Sequence, residues 1–258
     1  MILKSGLTSV TFRQLPPEEI IRLTRDAGLD GIEWGADIHV KPGELAKAKK
    51  IAEMTKDAGL EVLSYGSYFR PPVNMPAEGE IVLETAVALG APNVRIWAGD
   101  KDASVLDDAG FRQTAEAISV FTAAAGAYGL TVSTEYHHNT ATSTIHSTRR
   151  LLDAVPLENF YTYFQPDNVC TEEENLQNLR EIADRVSNLH VFHWKSWTER
   201  YPLEQGAEIW KQYLQAFLTA GHGSGACILE FVKDDSPEQF LRDAEELKRW
   251  LAEWNGKD

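Results

Sequence analysis

Residues 26–34 read D-A-G-L-D-G-I-E-W, and this pattern decides the fold: a helix ends, a glycine follows, and a short apolar strand begins. The phrase returns as D-A-G-L-E-V-L-S-Y at 57–65, L-G-A-P-N-V-R-I-W at 89–97 and Y-G-L-T-V-S-T-E at 128–135. Glycine suits the position after a helix because positive φ costs it little. The first three of these glycines recur every 31 residues, a normal length for a strand–helix unit.

Outward from this phrase, strands and helices alternate along the whole chain, which predicts a parallel sheet. The predicted strands lie near residues 2–10, 30–35, 60–65, 93–97, 130–135, 159–164, 188–193 and 226–231. The predicted helices lie near residues 17–28, 43–58, 77–90, 108–128, 144–154, 172–184, 206–219 and 236–254. Eight such pairs in 258 residues predict a single (β/α)₈ TIM barrel, with a doubly wound open sheet as the alternative. Because no low-complexity linker divides the chain, we expect one domain over residues 1–258.

Composition and charge argue against several classes of protein. The formal net charge is -14, which disfavours nucleic-acid binding because a phosphate backbone must be neutralised by Lys and Arg. We find no apolar run long enough to span a membrane and no signal peptide, so we expect a cytoplasmic protein. The two cysteines, Cys170 and Cys227, form no C-x-x-C pair and are expected to be reduced, buried thiols. The expected partner is a small molecule; the sequence neither requires nor excludes a homo-oligomer.

Polar residues end the last four predicted strands, where the functional site of a barrel lies. The fifth strand ends at Glu135, the sixth runs into F-Q-P-D-N with Gln165, the seventh ends at His193 in L-H-V-F-H-W-K, and the eighth carries Glu230 in C-I-L-E-F. Burying a carboxylate in an apolar run is costly unless it is paired, hydrogen-bonded or bound to a metal. For each residue alone the alternative is structural: an ion pair for the two glutamates and a packed histidine for His193. Together they predict a site for one divalent metal ion, Mn²⁺, Mg²⁺, Co²⁺ or Zn²⁺.

These residues resemble the xylose isomerase-like TIM barrel superfamily, the sugar phosphate isomerase and epimerase group. The resemblance covers nearly the whole chain and rests on G-I-E-W at 31–34, Glu135, H-W-K at 193–195 and Glu230. It implies that Glu135, Gln165, His193 and Glu230 bind the metal. It also implies that Glu135 and Glu230 are catalytic, one removing a proton from the substrate carbon and the other returning it.

The sequence departs from the family at the third ligand position. An aspartate is usual there, whereas this chain has Gln165, a neutral ligand, with Asp167 two residues later. We therefore expect weaker metal binding than in a typical member, unless Asp167 supplies the missing carboxylate.

Other residues near the predicted strand ends are candidates for contact with substrate. Aromatic faces can stack on sugar carbons, and the alternative for each tryptophan is ordinary packing. His138, beside His137, is not expected to point inward as well, and the cationic candidates could equally be surface charges. The predicted substrate-binding residues are Trp34, His39, Trp97, His137, Lys195 and Arg200, with Trp194 and Trp197 as further aromatic candidates. The run G-H-G-S-G at 221–225 precedes a strand, so we interpret it as a turn at the bottom of the barrel and not as a phosphate site.

The chemistry predicted for this site is proton transfer next to a carbonyl. A metal polarises the carbonyl and stabilises an enediolate, and a carboxylate acts as the base. Isomerases, epimerases and some dehydratases share this first step. We expect a metal-dependent isomerase or epimerase of a sugar or related polyol ketone. The alternatives are an inosose-type dehydratase and a non-catalytic sugar-binding barrel in which Gln165 has disabled the metal site; a DNA repair nuclease is disfavoured by charge.

Overall fold

The computed structural model describes residues 2–220 and 224–255, and within them eight parallel strands close into a barrel surrounded by eight helices. The barrel strands are β1 Ile2–Thr8, β2 Gly31–Gly35, β3 Glu61–Gly66, β4 Asn93–Ile96, β5 Thr131–Glu135, β6 Phe160–Phe164, β7 Val186–Val191 and β10 Ser224–Leu229; a hairpin of β8 Trp194–Ser196 and β9 Glu199–Arg200 follows β7. The helices are α1 Pro17–Asp26, α2 Leu45–Asp57, α3 Pro76–Leu89, α4 Asp108–Ala127, α5 Ile145–Ala154, α6 Glu172–Ile182, α7 Ala207–Ala220 and α8 Pro237–Asn255. The (β/α)₈ fold predicted from the sequence is confirmed.

The local signals behind the elements are visible in the backbone. The four glycines of the repeated phrase all have positive φ, between 66° and 78°. Thr171 caps α6 by accepting a hydrogen bond from the backbone N–H of Glu174, and the three glutamates 172–174 lie in the first turn. These features end one helix and start another where the chain must turn back toward the sheet.

Strands β7 and β10 lie about two residues earlier in the chain than the sequence predicted. β7 ends at Val191 because its last partner in β10 is Leu229, and β10 itself ends there. The chain beyond β7 leaves the barrel and forms the β8–β9 hairpin. This offset moves the end of the seventh strand away from His193.

The main core lies between the barrel and the helices, and a small cluster of Leu63, Tyr163, Ala226 and Ile228 fills the barrel interior. Cys227 is buried and Cys170 half-buried, and both are free thiols. None of the described helices combines the length and apolarity needed to cross a bilayer. Most of the predicted turn at 221–225 lies outside the described residues.

Candidate functional site

Polar side chains form a ring inside the barrel at the C-terminal ends of its strands. Side chains of a strand alternate between its two faces, so every second residue of each strand points inward. On β7, Leu189 and Val191 pack in the outer core while His190, wholly buried, points inward. The ring contains Thr8, Glu33, Arg95, Glu135, Gln165, His190 and Glu230.

Nδ1 of His190 is the point on which three oxygen-bearing side chains converge. It lies 3.2 Å from Oε1 of Gln165, 3.6 Å from Oε1 of Glu135 and 3.5 Å from Oε2 of Glu230. The donor atoms of Glu135, His190 and Glu230 all lie within 4.8 Å of one another, and all three residues are buried. The four residues come from the ends of β5, β6, β7 and β10.

The other ring nitrogen of His190 is held by a carboxylate. Nε2 lies 3.3 Å from Oε1 of Glu33, which also accepts hydrogen bonds from Thr8 Oγ1 and from Arg95 Nε. Burial by itself lowers the pKa of His190, but Glu230, Glu135 and Glu33 outweigh it and raise the pKa to about 10. Glu33 therefore fixes the orientation of the imidazole and directs Nδ1 toward the cluster.

Arg95 balances the negative charge of the ring. Its guanidinium lies 3.3 Å from Glu33 and forms a hydrogen-bonded ion pair with Glu135, and its side chain is only 2% exposed. Gly66 leaves room for it, because a Cβ there would lie 2.7 Å from Nη2 of Arg95. A substitution at Gly66 would thus displace the arginine.

The two glutamates of the cluster differ in acidity. Burial raises the pKa of Glu135, but the charge of Arg95 and the contact with His190 lower it well below its usual range. The pKa of Glu230 is raised, chiefly by burial and by the nearby charge of Glu135, against the opposing effect of His190. One carboxylate is thus held ionised while the other binds a proton more readily, an arrangement suited to one base and one acid.

The cluster fits a divalent metal ion by its donor chemistry. Ligand atoms about 2.1 Å from a metal and at right angles lie roughly 3 Å apart, close to the 3.2–3.6 Å spacings around Nδ1. One imidazole, one amide and two carboxylates form a ligand set typical of Mn²⁺, Mg²⁺, Co²⁺ or Zn²⁺. A metal ligand must be the neutral imidazole, so binding would release the second proton of His190. Glu135 and Glu230 would then balance the two charges of the ion, and Glu33 would balance Arg95.

Gln165 is oriented as a ligand. Its Nε2 donates a hydrogen bond to the carbonyl oxygen of Tyr136 at 3.1 Å, which leaves Oε1 directed toward His190. Asp167 is engaged elsewhere, because its Oδ1 contacts His138 Nε2 at 3.1 Å and accepts a hydrogen bond from the N–H of Val169. The structure therefore brings Gln165, and not Asp167, to the cluster.

The structure does not bring His193 to the cluster. His193 shares the strand face of Leu189 and Val191, and it follows the last ladder residue of β7. Its ring packs against Tyr201 with the centroids 5.6 Å apart and lies against Gly206, where an added Cβ would lie 2.7 Å from Nδ1. The position predicted for His193 is occupied by His190.

Trp34 and His39 lie in the packed core and not at the mouth. Trp34 is 0% exposed and is part of the main hydrophobic core. His39 is buried, with Nδ1 2.9 Å from Ser9 Oγ and Nε2 3.1 Å from the Leu15 carbonyl oxygen. Neither side chain can contact a substrate at the mouth, because each is enclosed by protein.

Trp97 and His137 lie together beside the ring of polar side chains at the strand ends. Their ring centroids are 4.4 Å apart, and the guanidinium of Arg70 lies 4.3 Å from the centre of the Trp97 ring. His137 is close enough to Glu135 to help lower the pKa of that carboxyl. Both positions are compatible with the predicted contact with substrate.

Lys195 and Arg200 belong to the hairpin that follows β7. The Lys195 side chain is 70% exposed and pairs with Glu199. Arg200 pairs with Asp235 at 2.7 Å, and its guanidinium lies 4.6 Å from the centre of the Trp197 ring. Lys195 is thus paired within the hairpin itself, and Arg200 is paired with a carboxylate of the segment after β10.

The sequence interpretation missed four residues of the ring, namely His190, Arg95, Thr8, and Glu33 as a site residue. Strand alternation contained the signal for His190, because in L-H-V-F-H the apolar Leu189 and Val191 mark the outer face. Glu33 and Arg95 each interrupt an apolar run, in G-I-E-W and N-V-R-I-W. A charged residue within such a run was the same signal that identified Glu230.

A pocket of about 190 Å³ opens beside the cluster, and Gln165 lines both. It lies between the β8–β9 hairpin, which contributes Trp194 and Trp197, and the loops after β5 and β6, which contribute His137 and Asp167.

Comparison with known proteins places the fold in a family. Residues 21–254 match the family model described as the xylose isomerase-like TIM barrel, whereas no curated protein matches the sequence significantly. A probable 3-DHS dehydratase of petrobactin synthesis from Bacillus anthracis is similar, with a TM-score of 0.80 and 17% identity over 95% of this chain and 99% of that one. A xylose isomerase-like TIM barrel protein from Mycobacterium smegmatis in complex with magnesium is also similar, with a TM-score of 0.77 and 14% identity over 98% of each chain. The 3-keto-D-glucoside 4-epimerase of E. coli has a TM-score of 0.71 and 16% identity, over 97% of this chain and 99% of that one. The family match spans most of the chain, and this protein belongs to the xylose isomerase-like TIM barrel family.

Proposed function

We propose that this protein is a metal-dependent isomerase or epimerase that moves a proton at the carbon next to the carbonyl of a sugar or related polyol ketone. The observation that carries the proposal is the convergence of Gln165, Glu135 and Glu230 on Nδ1 of His190. The proposed metal ligands are Glu135, Gln165, His190 and Glu230.

The proposed role of each residue follows from its surroundings in the site. A bound divalent ion would polarise the substrate carbonyl and stabilise the developing oxyanion. Glu135, held ionised by Arg95, is the proposed base that removes the proton from the substrate carbon. Glu230 is the proposed group that returns a proton from the other side of that carbon. Trp97 and His137 lie beside Glu135 and are proposed to contact the substrate.

The orientation of Gln165 favours a working metal site over a degraded one. Its carbonyl oxygen points into the cluster and its amide nitrogen is fixed by Tyr136. A neutral ligand also suits the ring, because Arg95 and Glu33 already form a balanced pair. This supports catalysis over the alternative of a sugar-binding barrel without a metal.

A dehydratase is the second candidate. Loss of water from a hydroxyketone begins with the same proton abstraction, so the same two glutamates would serve. The likeness in fold to the probable dehydratase from Bacillus anthracis, with a TM-score of 0.80, favours testing this reaction alongside the first.

The experiment is proton exchange in D₂O. Protein stripped with EDTA and reloaded with Mn²⁺ is incubated with a panel of ketoses and inososes, and mass spectrometry records deuterium at the carbon next to the carbonyl. Exchange without new ultraviolet absorbance supports the isomerase or epimerase, whereas a new enone band supports the dehydratase. Glu135→Gln and Glu230→Gln should each slow exchange by about 10²-fold or more, while His193→Asn should not. Absence of both metal uptake and exchange would contradict the proposal.

We propose a small-molecule carbohydrate as the substrate and the cytoplasm as the location. Fractionation of cells that express the tagged protein would test the location directly.

A further inference from the structure

The pocket beside Gln165 has two walls of different chemistry, and we propose that it is a subsite for an uncharged sugar ring attached to the reacting ketose. The proposal rests on the proposed function, because it takes the cluster as the place where the ketose binds. It narrows the substrate from a free sugar to a glycoside or disaccharide-like ketose without a phosphate.

One wall of the pocket is aromatic and rigid. Phe192 and Trp194 stack with their centroids 3.8 Å apart, and Trp197 meets Trp194 edge-on at 5.7 Å. Nε1 of Trp194 donates a hydrogen bond to the carbonyl oxygen of Phe231, which fixes the plane of its ring. Arg200 covers one face of Trp197 at 4.6 Å, but the side chain remains 54% exposed, which leaves apolar surface available to a ligand. Such a face suits the C–H side of a pyranose ring.

The opposite wall is polar and offers both acceptors and donors. It contains His138, Asp167 and Asn168. Asp167 is held by His138 and by the N–H of Val169, whereas Asn168 is exposed. Carboxylate and amide groups opposite an aromatic face would bind the hydroxyl groups at the rim of a sugar while its C–H face lies on tryptophan.

The charge of the pocket disfavours a phosphate as its natural occupant, although His137 and His138 are among the lining residues. None of the described residues that line it is a lysine or an arginine. The nearest hairpin cations, Lys195 and Arg200, are paired with Glu199 and Asp235. An anion would also meet the carboxylate of Asp167. Phosphate recognition normally uses unpaired cations or a helix N-terminus.

Gln165 connects the subsite to the cluster. Its side chain both lines the pocket and contacts His190, so the two spaces share a wall. A ketose held at the cluster would therefore have its substituent directed between the hairpin and the loop after β6.

The experiment measures binding to the full-length, Mn²⁺-loaded protein by calorimetry and by tryptophan fluorescence. The probes are D-fructose, fructose 6-phosphate and three glucosyl-fructoses linked through O3, O4 or O6: turanose, maltulose and isomaltulose. At least one glucosyl-fructose should bind about tenfold or more tightly than fructose. Fructose 6-phosphate should gain nothing over fructose.

Variants separate the subsite from the rest of the mouth. Trp197→Ala should remove the gain of the glucosyl-fructose, a loss of about ten- to thirtyfold, and leave fructose binding nearly unchanged. Trp197→Phe should keep part of the gain, and Asn168→Ala should lose a smaller part. Tyr128→Ala, which removes an exposed aromatic at the other end of the barrel, is the control and should change nothing.

Each outcome bears on one proposal. Equal affinity for fructose and all three glucosyl-fructoses, tightest binding of fructose 6-phosphate, or a gain that survives in Trp197→Ala would each overturn the subsite. Binding of a glucosyl-fructose without any proton exchange would overturn the proposed function and leave the subsite standing. Proton exchange on ketoses with no preference for a glycosyl group would overturn the subsite and leave the proposed function standing.

Discussion

His190 carries the proposed site through both of its ring nitrogens. Nδ1 faces Gln165, Glu135 and Glu230, and Nε2 faces Glu33. Metal binding should therefore be far more sensitive to substitution of His190 than to substitution of His193, the other histidine of the same segment.

The first prediction compares His190 with His193. His190→Asn should weaken Mn²⁺ binding by at least about 100-fold, because it removes a ligand outright. His193→Asn is the matched control, since His193 packs against Tyr201 away from the cluster, and it should leave the affinity nearly unchanged. Calorimetric titration of EDTA-stripped protein measures both, and the reverse order of effects would refute the assignment of His190.

The second prediction concerns Glu33, which orients His190 without reaching the proposed metal. Glu33→Gln keeps the shape of the side chain but removes the charge that pairs with Arg95 and His190. We expect Mn²⁺ affinity to fall by about 10- to 100-fold, the usual effect of losing a partner behind a metal ligand. An unchanged affinity in the folded variant would show that Glu33 does not position the imidazole.

The third prediction concerns His39, which is structural in this fold. Burial lowers the pKa of His39, so its neutral form is favoured in the folded protein. Its contribution to stability is therefore present above the unfolded-state pKa of about 6.5 and is lost as the pH falls. His39→Gln should lower the melting temperature at pH 7.5, and the gap from the wild type should narrow at pH 5.5. A gap that widens on acidification would contradict this interpretation.

At the scale of elements, α4 packs against β5, the strand that presents Glu135. The helix begins at a cap, because the Asp107 side chain accepts a hydrogen bond from the N–H of Gly110 at 2.8 Å. This cap satisfies one of the backbone donors that the first turn leaves without a partner. The start of α4 therefore depends on one side chain.

The fourth prediction tests this cap. Asp107→Ala should cost about 1 kcal/mol, which corresponds to a fall of roughly 2–4 °C in melting temperature for a chain of this size. Asp107→Asn retains a capping oxygen and should lose much less. Differential scanning calorimetry measures both, and equal losses in the two variants would argue against the cap as the cause.

At the scale of the whole molecule, pairing between the first and the last strand closes the barrel. β1 pairs in register with β10, from Ile2 with Ser224 to Leu7 with Leu229, so the first and last strands are neighbours. This closure supports the expectation of one domain over residues 1–258, which stays a prediction. The four proposed metal ligands come from four strands that are adjacent in the closed barrel.

The fifth prediction follows from this placement. A metal held by four strands binds the folded barrel and not the unfolded chain, so it should stabilise the fold. Mn²⁺ at about 100 times its Kd should add about 2.7 kcal/mol, or roughly 5–10 °C in melting temperature. EDTA should reverse the shift, and His190→Asn should show none. A melting temperature that does not respond to Mn²⁺ would contradict a metal site of this kind.

The sequence by itself determined the architecture and part of the ring. Periodic helices, glycines after their ends and short apolar strands are local features, and local physics suffices to predict a (β/α)₈ barrel from them. Glu135 and Glu230 were predictable because Glu135 ends the β-branched strand T-V-S-T-E and Glu230 follows the apolar run C-I-L, and the barrel must bury both strands.

Only the tertiary structure decided at which level along the strands the ring lies and which inward-facing residues meet there. The choice between His190 and His193 depends on the register of β7 against β10, and a shift of two residues in the predicted strand end was enough to select the wrong one. Glu33 and Arg95 lie 62 positions apart and meet only because β2 and β4 face the same interior. Long-range contacts of this kind depend on the register of the strands around the closed barrel, and that register is set by packing along the whole chain.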